Sequence, residues 1–141
     1  MNELLFKGNV IAHGIDIVET SRFEILLNKL SHKYLNRYFT RQELDTVGDG
    51  ALRAEKLASR FAIKEAVLKA LNTGWGNGVS FEDVEVFNSA IGAPSVKLHR
   101  RLMTLSERKK ITHWLVSASH AGSMTMASVI GLSDGIENNK L

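Results

Sequence analysis

The sequence predicts a single α+β domain in which a mostly antiparallel sheet packs on one long helix. Three observations carry that reading. Residues 51–72 are full of Ala, Leu, Lys, Arg and Glu and hold no Gly or Pro, which marks a long helix. Residues 10–18, 79–87, 111–119 and 124–132 are strand-like in composition and bounded by turn residues. Helices and strands do not alternate regularly, so a parallel doubly wound sheet is not expected. At 141 residues, 44% hydrophobic and 23% charged, the chain fits one domain with a core of its own. The domain is placed at residues 10–132, between an N-terminal extension (1–9) and a polar, disordered tail (133–141).

In chain order, residues 10–18 give the first strand. Thr20 or Ser21 caps a helix with Phe23, Leu26, Leu27 and Leu30 as its apolar stripe. Residues 31–40 hold Tyr34, Leu35, Tyr38 and Phe39 and form a short helix or turn. Thr40-Arg41-Gln42-Glu43 is a capping-box pattern for a further helix, which Gly48-Asp49-Gly50 ends. After the long helix, Gly74, Gly76 and Gly78 predict a flexible loop around Trp75. Val79 to Phe87 is a strand, and Gly92 and the only proline, Pro94, make a turn. A short strand at 95–98, a basic helix at 99–109 and two strands around Ala121-Gly122-Ser123 complete the domain.

Composition narrows function only slightly. The chain has no cysteine, which excludes disulfides, thiolate metal sites and cysteine nucleophiles. No apolar run approaches the roughly 20 residues of a membrane helix, and the acidic start does not suit a signal peptide. The expected location is the cytoplasm. A net charge of +3 suits an anionic partner and equally suits ordinary solubility.

Two carboxylates stand out. Asp16 interrupts the apolar run Gly14-Ile15-Asp16-Ile17-Val18, on the face shared by Gly14 and Val18. A glycine two residues earlier leaves room for a ligand. On the long helix, at about 100° per residue, Leu57, Phe61, Leu68 and Leu71 form a stripe with Lys64 in its middle. A lysine among leucines must reach solvent or meet an anion. Arg60 lies one turn before it, and Glu65 and Lys69 share a line beside the stripe. Glu65–Lys69 reads equally as a solvated i,i+4 pair. Two carboxylates on rigid elements with cations nearby suit a hard metal that also takes phosphate oxygens. His120, at a strand end, suits a phosphate contact or a base.

These residues match something specific. Gly14-Ile15-Asp16-Ile17-Val18-Glu19 followed by Ser21-Arg22-Phe23 resembles the opening motif of the bacterial holo-acyl-carrier-protein synthases. Arg60-Phe61-Ala62-Ile63-Lys64-Glu65-Ala66-Val67-Leu68-Lys69-Ala70 resembles their second motif. A glycine loop, the Ser80 to Val86 segment, the Gly92-Ala93-Pro94 turn and Val116 to His120 follow in matching order. The resemblance spans roughly residues 10–131.

The resemblance implies a 4'-phosphopantetheinyl transferase fold and a homotrimer with active sites between subunits. It implies transfer of 4'-phosphopantetheine from coenzyme A to a serine of acyl carrier protein, for fatty acid synthesis. Asp16 and Glu65 carry over as magnesium ligands. Arg60, Lys64 and His120 carry over as contacts for coenzyme A phosphates. Lys69 lies near the reacting phosphate, and Arg22 carries over as a docking residue for the acidic carrier. The base is open between Glu65, His120 and a metal-bound water. Three features depart from the pattern: the extension, the tail, and Ala121 where a polar residue is common.

Two rival readings remain at this point. Residues 40–72 read as helix-turn-helix in a basic chain. Against it, the recognition helix has Leu57, Phe61 and Leu68 where base-reading groups belong, so nucleic acid is not an expected partner. The second rival is a coenzyme A-binding protein without catalysis, which intact Asp16 and Glu65 argue against.

Overall fold

The structure, a computed structural model, describes residues 8–29 and 32–134. The predicted tail from 135 onward, residues 1–7 and Leu30 of the first helical stripe lie outside that range. Strand β1 (Asn9–Glu19) leads into helices α1 (Thr20–Lys29), α2 (His32–Tyr38) and α3 (Arg41–Val47), then the long α4 (Arg53–Ala70). Strands β2 (Val84–Asn88) and β3 (Pro94–Leu98), helix α5 (Arg100–Arg108) and strands β4 (His113–Ala121) and β5 (Met124–Ser133) follow. Both sheets are antiparallel: one of three strands in the order β1-β5-β4, the other the β2-β3 hairpin. The α+β reading therefore holds.

Local chemistry explains most boundaries. The capping box forms as the pattern predicts: the Glu43 amide donates to Thr40 Oγ1 at 3.1 Å, and the Thr40 amide donates to Glu43 Oε1 at 2.7 Å. Gly48 closes α3 at φ +71°, a conformation that favours glycine. The stretch 79–87 is a strand only in its second half. Its first half is a 3-10 turn, Phe81–Asp83, because the Asp83 carboxylate folds back to accept the Ser80 amide at 2.9 Å. Thr20 does not cap α1 with its hydroxyl. That oxygen lies 2.7 Å from Thr125 Oγ1, pinning the end of β1 to β5.

Helix α4 lies between the three-stranded sheet and the β2-β3 hairpin, and 10 of its 18 residues are buried. The side chains of Ile63, Ala66, Val67 and Ala70 pack in one core with Ala127, Val129, Val84 and Leu102. A second core under α1–α3 joins Phe23, Leu35, Phe39, Val47, Leu57 and Ala58. Leu57 and Leu68, which would have to lie at base-reading positions, are buried in the core, which argues against the helix-turn-helix reading. None of the described helices is long and apolar enough to cross a membrane.

The tightest point is where β1 crosses α4. A Cβ on Gly14 would sit 1.9 Å from the carbonyl oxygen of Ala66 and 2.9 Å from the amide nitrogen of Ala70. The glycine thus serves contact with the helix backbone. The space expected there for a ligand is filled by α4. Small side chains at Ala62, Ala66 and Ala70, spaced by four, support the close approach.

Gly14→Ala is expected to lose about 3 kcal/mol or more, because the obstructing atoms are backbone. Gly50→Ala, whose Cβ would meet nothing within 4 Å, is expected to stay within about 0.5 kcal/mol of wild type. Urea unfolding midpoints check both.

Candidate active site

The site follows from that crossing. Asp16 is two residues beyond Gly14 on the same strand face, so it also points at α4. Glu65 precedes Ala66 on the helix. Both carboxylates line one open cleft of about 470 Å³, together with Glu19, Arg22, Phe61 and the α1 side chains Phe23, Leu26 and Leu27. Leu26, expected in the core stripe of α1, is instead half exposed on this cleft.

Four of the anticipated residues, Asp16, Arg22, Glu65 and Lys69, gather here. Lys69 does not pair with Glu65 along the helix. Its ammonium reaches across to Asp16 Oδ1 at 2.8 Å and to the Ile15 carbonyl at 3.1 Å. Glu65 instead accepts a hydrogen bond at Oε1 from the Trp75 indole, at 2.9 Å. Lys69 is 56% exposed, and an exposed ion pair of this kind contributes about 1 kcal/mol or less. Its hold on Asp16 is therefore cheap to exchange for another cation.

The donor set fits a hard divalent cation. Asp16 and Glu65 offer carboxylate oxygens from two rigid elements to one cleft. Among the described residues no three His, Asp or Glu side chains cluster as a closed metal cage. An ion held by two carboxylates would complete its shell with waters or phosphate oxygens, as magnesium commonly does.

Lys64 corrects an expectation. Its side chain is fully buried, and its ammonium donates to Glu43 Oε1 at 2.9 Å and to the carbonyls of Phe81 at 3.0 Å and Val84 at 2.5 Å. All three protons are used, so none is left for a coenzyme phosphate. The anion that Lys64 needs is Glu43, whose other oxygen accepts the Val86 amide at 2.7 Å. Burial holds the Lys64 ammonium below its ordinary pKa, with Glu43 opposing that shift. The capping box was the sequence signal for Glu43, but it said nothing of a second partner 21 residues on.

Arg60 shares the buried side of α4 and does not line the cleft. Its Nε has no hydrogen-bond partner among the described residues. Burial lowers its pKa, again with Glu43 opposing. An unpartnered buried guanidinium nitrogen is costly and is the kind of group an anion would satisfy. His120 also stands apart. It lies two strands over from Val18, about 10 Å by strand spacing, and its Nε2 is 3.3 Å from Glu55 Oε1. Glu55 is ten residues before Glu65, about 15 Å along the helix. Within one chain His120 does not join the two carboxylates.

The fold and this pair of motif carboxylates define a class. The profile of the 4'-phosphopantetheinyl transferase superfamily matches residues 12–128, and the chain belongs to that superfamily. It is 40% identical over 121 residues to the holo-acyl-carrier-protein synthase of Pseudoalteromonas atlantica, covering 86% of this chain and 95% of that one. Another holo-acyl-carrier-protein synthase, from Gloeobacter violaceus, is also 40% identical, over 125 residues, covering 86% of this chain and 94% of its own. Among solved structures, the Neisseria meningitidis enzyme of that name superimposes with a TM-score of 0.78 at 29% identity, over 87% of this chain and 98% of the other. The Helicobacter pylori enzyme, solved in complex with coenzyme A, gives 0.74 at 31% identity, over 84% and 98%.

Glu43→Gln is expected to cost about 3–5 kcal/mol in unfolding free energy, because it strands a buried ammonium. Pairing it with Lys64→Met is expected to recover most of that loss, since the second change removes the stranded charge. Denaturant titration of the single and double variants checks this.

Proposed function

We propose that the chain transfers the 4'-phosphopantetheine group of coenzyme A to a serine hydroxyl of apo acyl carrier protein, releasing adenosine 3',5'-bisphosphate. The observation that carries this reading is the pairing of Asp16 and Glu65 on one open cleft, with Lys69 between strand and helix. The names of the similar synthases, and the coenzyme A bound to one of them, supply the substrates.

The serine oxygen attacks the phosphorus that carries pantetheine. The bond from that phosphorus to the bridging oxygen breaks, and the adenosine bisphosphate leaves with the oxygen. The serine proton passes to Glu65, directly or through water, or to His120. Asp16 and Glu65 would hold magnesium, which when bound neutralises the pyrophosphate and the leaving phosphate. Lys69, exposed and weakly held, is free to swing from Asp16 to a phosphate oxygen. Arg60 would gain a phosphate partner for its unsatisfied nitrogen, while Lys64 stays structural. Arg22 stands on the cleft wall, where it can meet the acidic surface of a carrier protein beside the apolar Leu26.

A homotrimer is the proposed assembly. Its support is the outer face of the three-stranded sheet, where Ile15 (49%), Ile17 (54%), Leu115 (55%) and Met126 (41%) are exposed together. Exposed apolar side chains grouped on one sheet face form a surface that association would cover. Active sites between subunits, as the resemblance implies, would be compatible with a His120 that does not reach the Asp16 cleft of its own chain.

Mass spectrometry of apo carrier incubated with protein, coenzyme A and magnesium tests the reaction. Added phosphopantetheine is expected; an unmodified carrier would remove the proposal. In the same assay, Asp16→Asn and Glu65→Gln are expected to lower kcat by about 100-fold or more with the unfolding midpoint kept. Arg22→Glu is expected to raise KM for the carrier and leave KM for coenzyme A unchanged.

A further inference from the structure

The loop after α4 is not the flexible connector its glycines suggested. Gly76 and Val79 exchange both backbone hydrogen bonds, at 2.9 and 3.0 Å, and Arg101 on α5 donates to the Asn77 carbonyl. Gly76 (φ +91°) and Gly78 (φ +89°) permit the tight reversal. The loop therefore presents Trp75 in a set position. The indole stacks on Phe81 with ring centroids 3.6 Å apart at 27°. Phe81 stacks in turn on Phe61, at 5.5 Å and 22°, and meets Tyr38 edge-on at 4.8 Å. Phe61 and Tyr38 are walls of the cleft.

Trp75 is thus fixed by its ring and left with one polar atom. That atom, Nε1, donates to Glu65 Oε1 at 2.9 Å. A glutamate on a helix has three side-chain torsions and would otherwise sample several rotamers. One oxygen held by a rigid donor restricts those torsions and leaves Oε2 for another ligand.

The geometry points to Trp75 as a positioning residue for Glu65, which orients that carboxylate toward a divalent cation in the cleft. This deepens the proposed function and rests on its reading of Glu65 as a metal ligand. Groups that orient metal ligands by hydrogen bonding alter affinity when removed, even though they never touch the metal. The aromatic stack extends the arrangement: whatever presses on Phe61 or Tyr38 from the cleft bears on the same indole.

Trp75→Phe keeps an aromatic ring to lie on Phe81 and removes the N–H. Manganese binding, followed by the EPR signal of the free ion with coenzyme A at saturation, is expected to weaken about tenfold in Trp75→Phe. Glu65→Gln is measured beside it. If Glu65→Gln binds manganese as tightly as wild type, the ligand reading of Glu65 falls and this inference with it. If Glu65→Gln is weakened but Trp75→Phe matches wild type, this inference alone is overturned, whatever happens to its thermal midpoint.

A second measurement leaves Trp75 in place and covers the case in which Trp75→Phe does not fold. The chain has two tryptophans, so Trp114→Phe leaves Trp75 as the sole tryptophan, excited selectively over the two tyrosines. Magnesium added to the coenzyme A complex of that variant is expected to change its emission, and Glu65→Gln in the same background is expected to abolish the change. Emission that ignores magnesium, or that responds equally without the Glu65 carboxylate, overturns the inference.

Discussion

The rest of the molecule depends on the contact of β1 with α4 at Gly14. Strand and helix meet there almost backbone to backbone, with no room for a single added carbon against Ala66. The contact fixes both the distance between the two elements and their register. Asp16 then faces the helix two residues along the strand, and Glu65 stands beside Ala66. A wider crossing would separate the two carboxylates, and a shift of β1 by one residue would turn Asp16 to the outer face of the sheet. The sheet that supplies Asp16 is itself held in place by antiparallel pairing on β5.

The charges of α4 divide into two kinds. Lys64 lies on the buried side and is fully spent: Glu43 and two carbonyls take its protons, tying α3 and the start of β2 to the helix. The next two charged residues, Glu65 and Lys69, turn toward the cleft and keep capacity for a ligand. Glu65 has one oxygen engaged by Trp75, and Lys69 shares an exposed bond with Asp16. A single helix thus separates structural from chemical charge by rotation about its axis. Arg60 lies between these cases, with a guanidinium that is buried like Lys64 but incompletely partnered.

Much of this was legible in the residues, for identifiable reasons. The length of α4, the capping box at Thr40 and the strand around Asp16 are local signals, set by propensity and short-range hydrogen bonds. The oddity of Lys64 among leucines was visible too, but not its partner, because Glu43 reaches it only through the packing of α3 on α4. The glycine at position 14 was read as space for a ligand, since nothing in the strand says what lies above it. The Trp75 loop read as flexible because its glycines are visible in the sequence, whereas the Arg101 bond to the Asn77 carbonyl and the stack of Trp75 on Phe81 appear only in the folded chain. Strand propensity over 79–87 was overridden by the Asp83 carboxylate capping its own turn. His120 lies beside Glu55 at the far edge of the sheet, so one folded chain does not join it to Asp16.

The central claim is that Asp16 and Glu65 share one cation. Crystals grown with coenzyme A and manganese in place of magnesium test it most directly, through the anomalous signal of the metal. The account predicts one strong peak within bonding distance of a carboxylate oxygen from each of the two residues, about 2.0–2.3 Å for a hard divalent ion of this size. A peak bound to only one of them, or located outside the cleft, would contradict it.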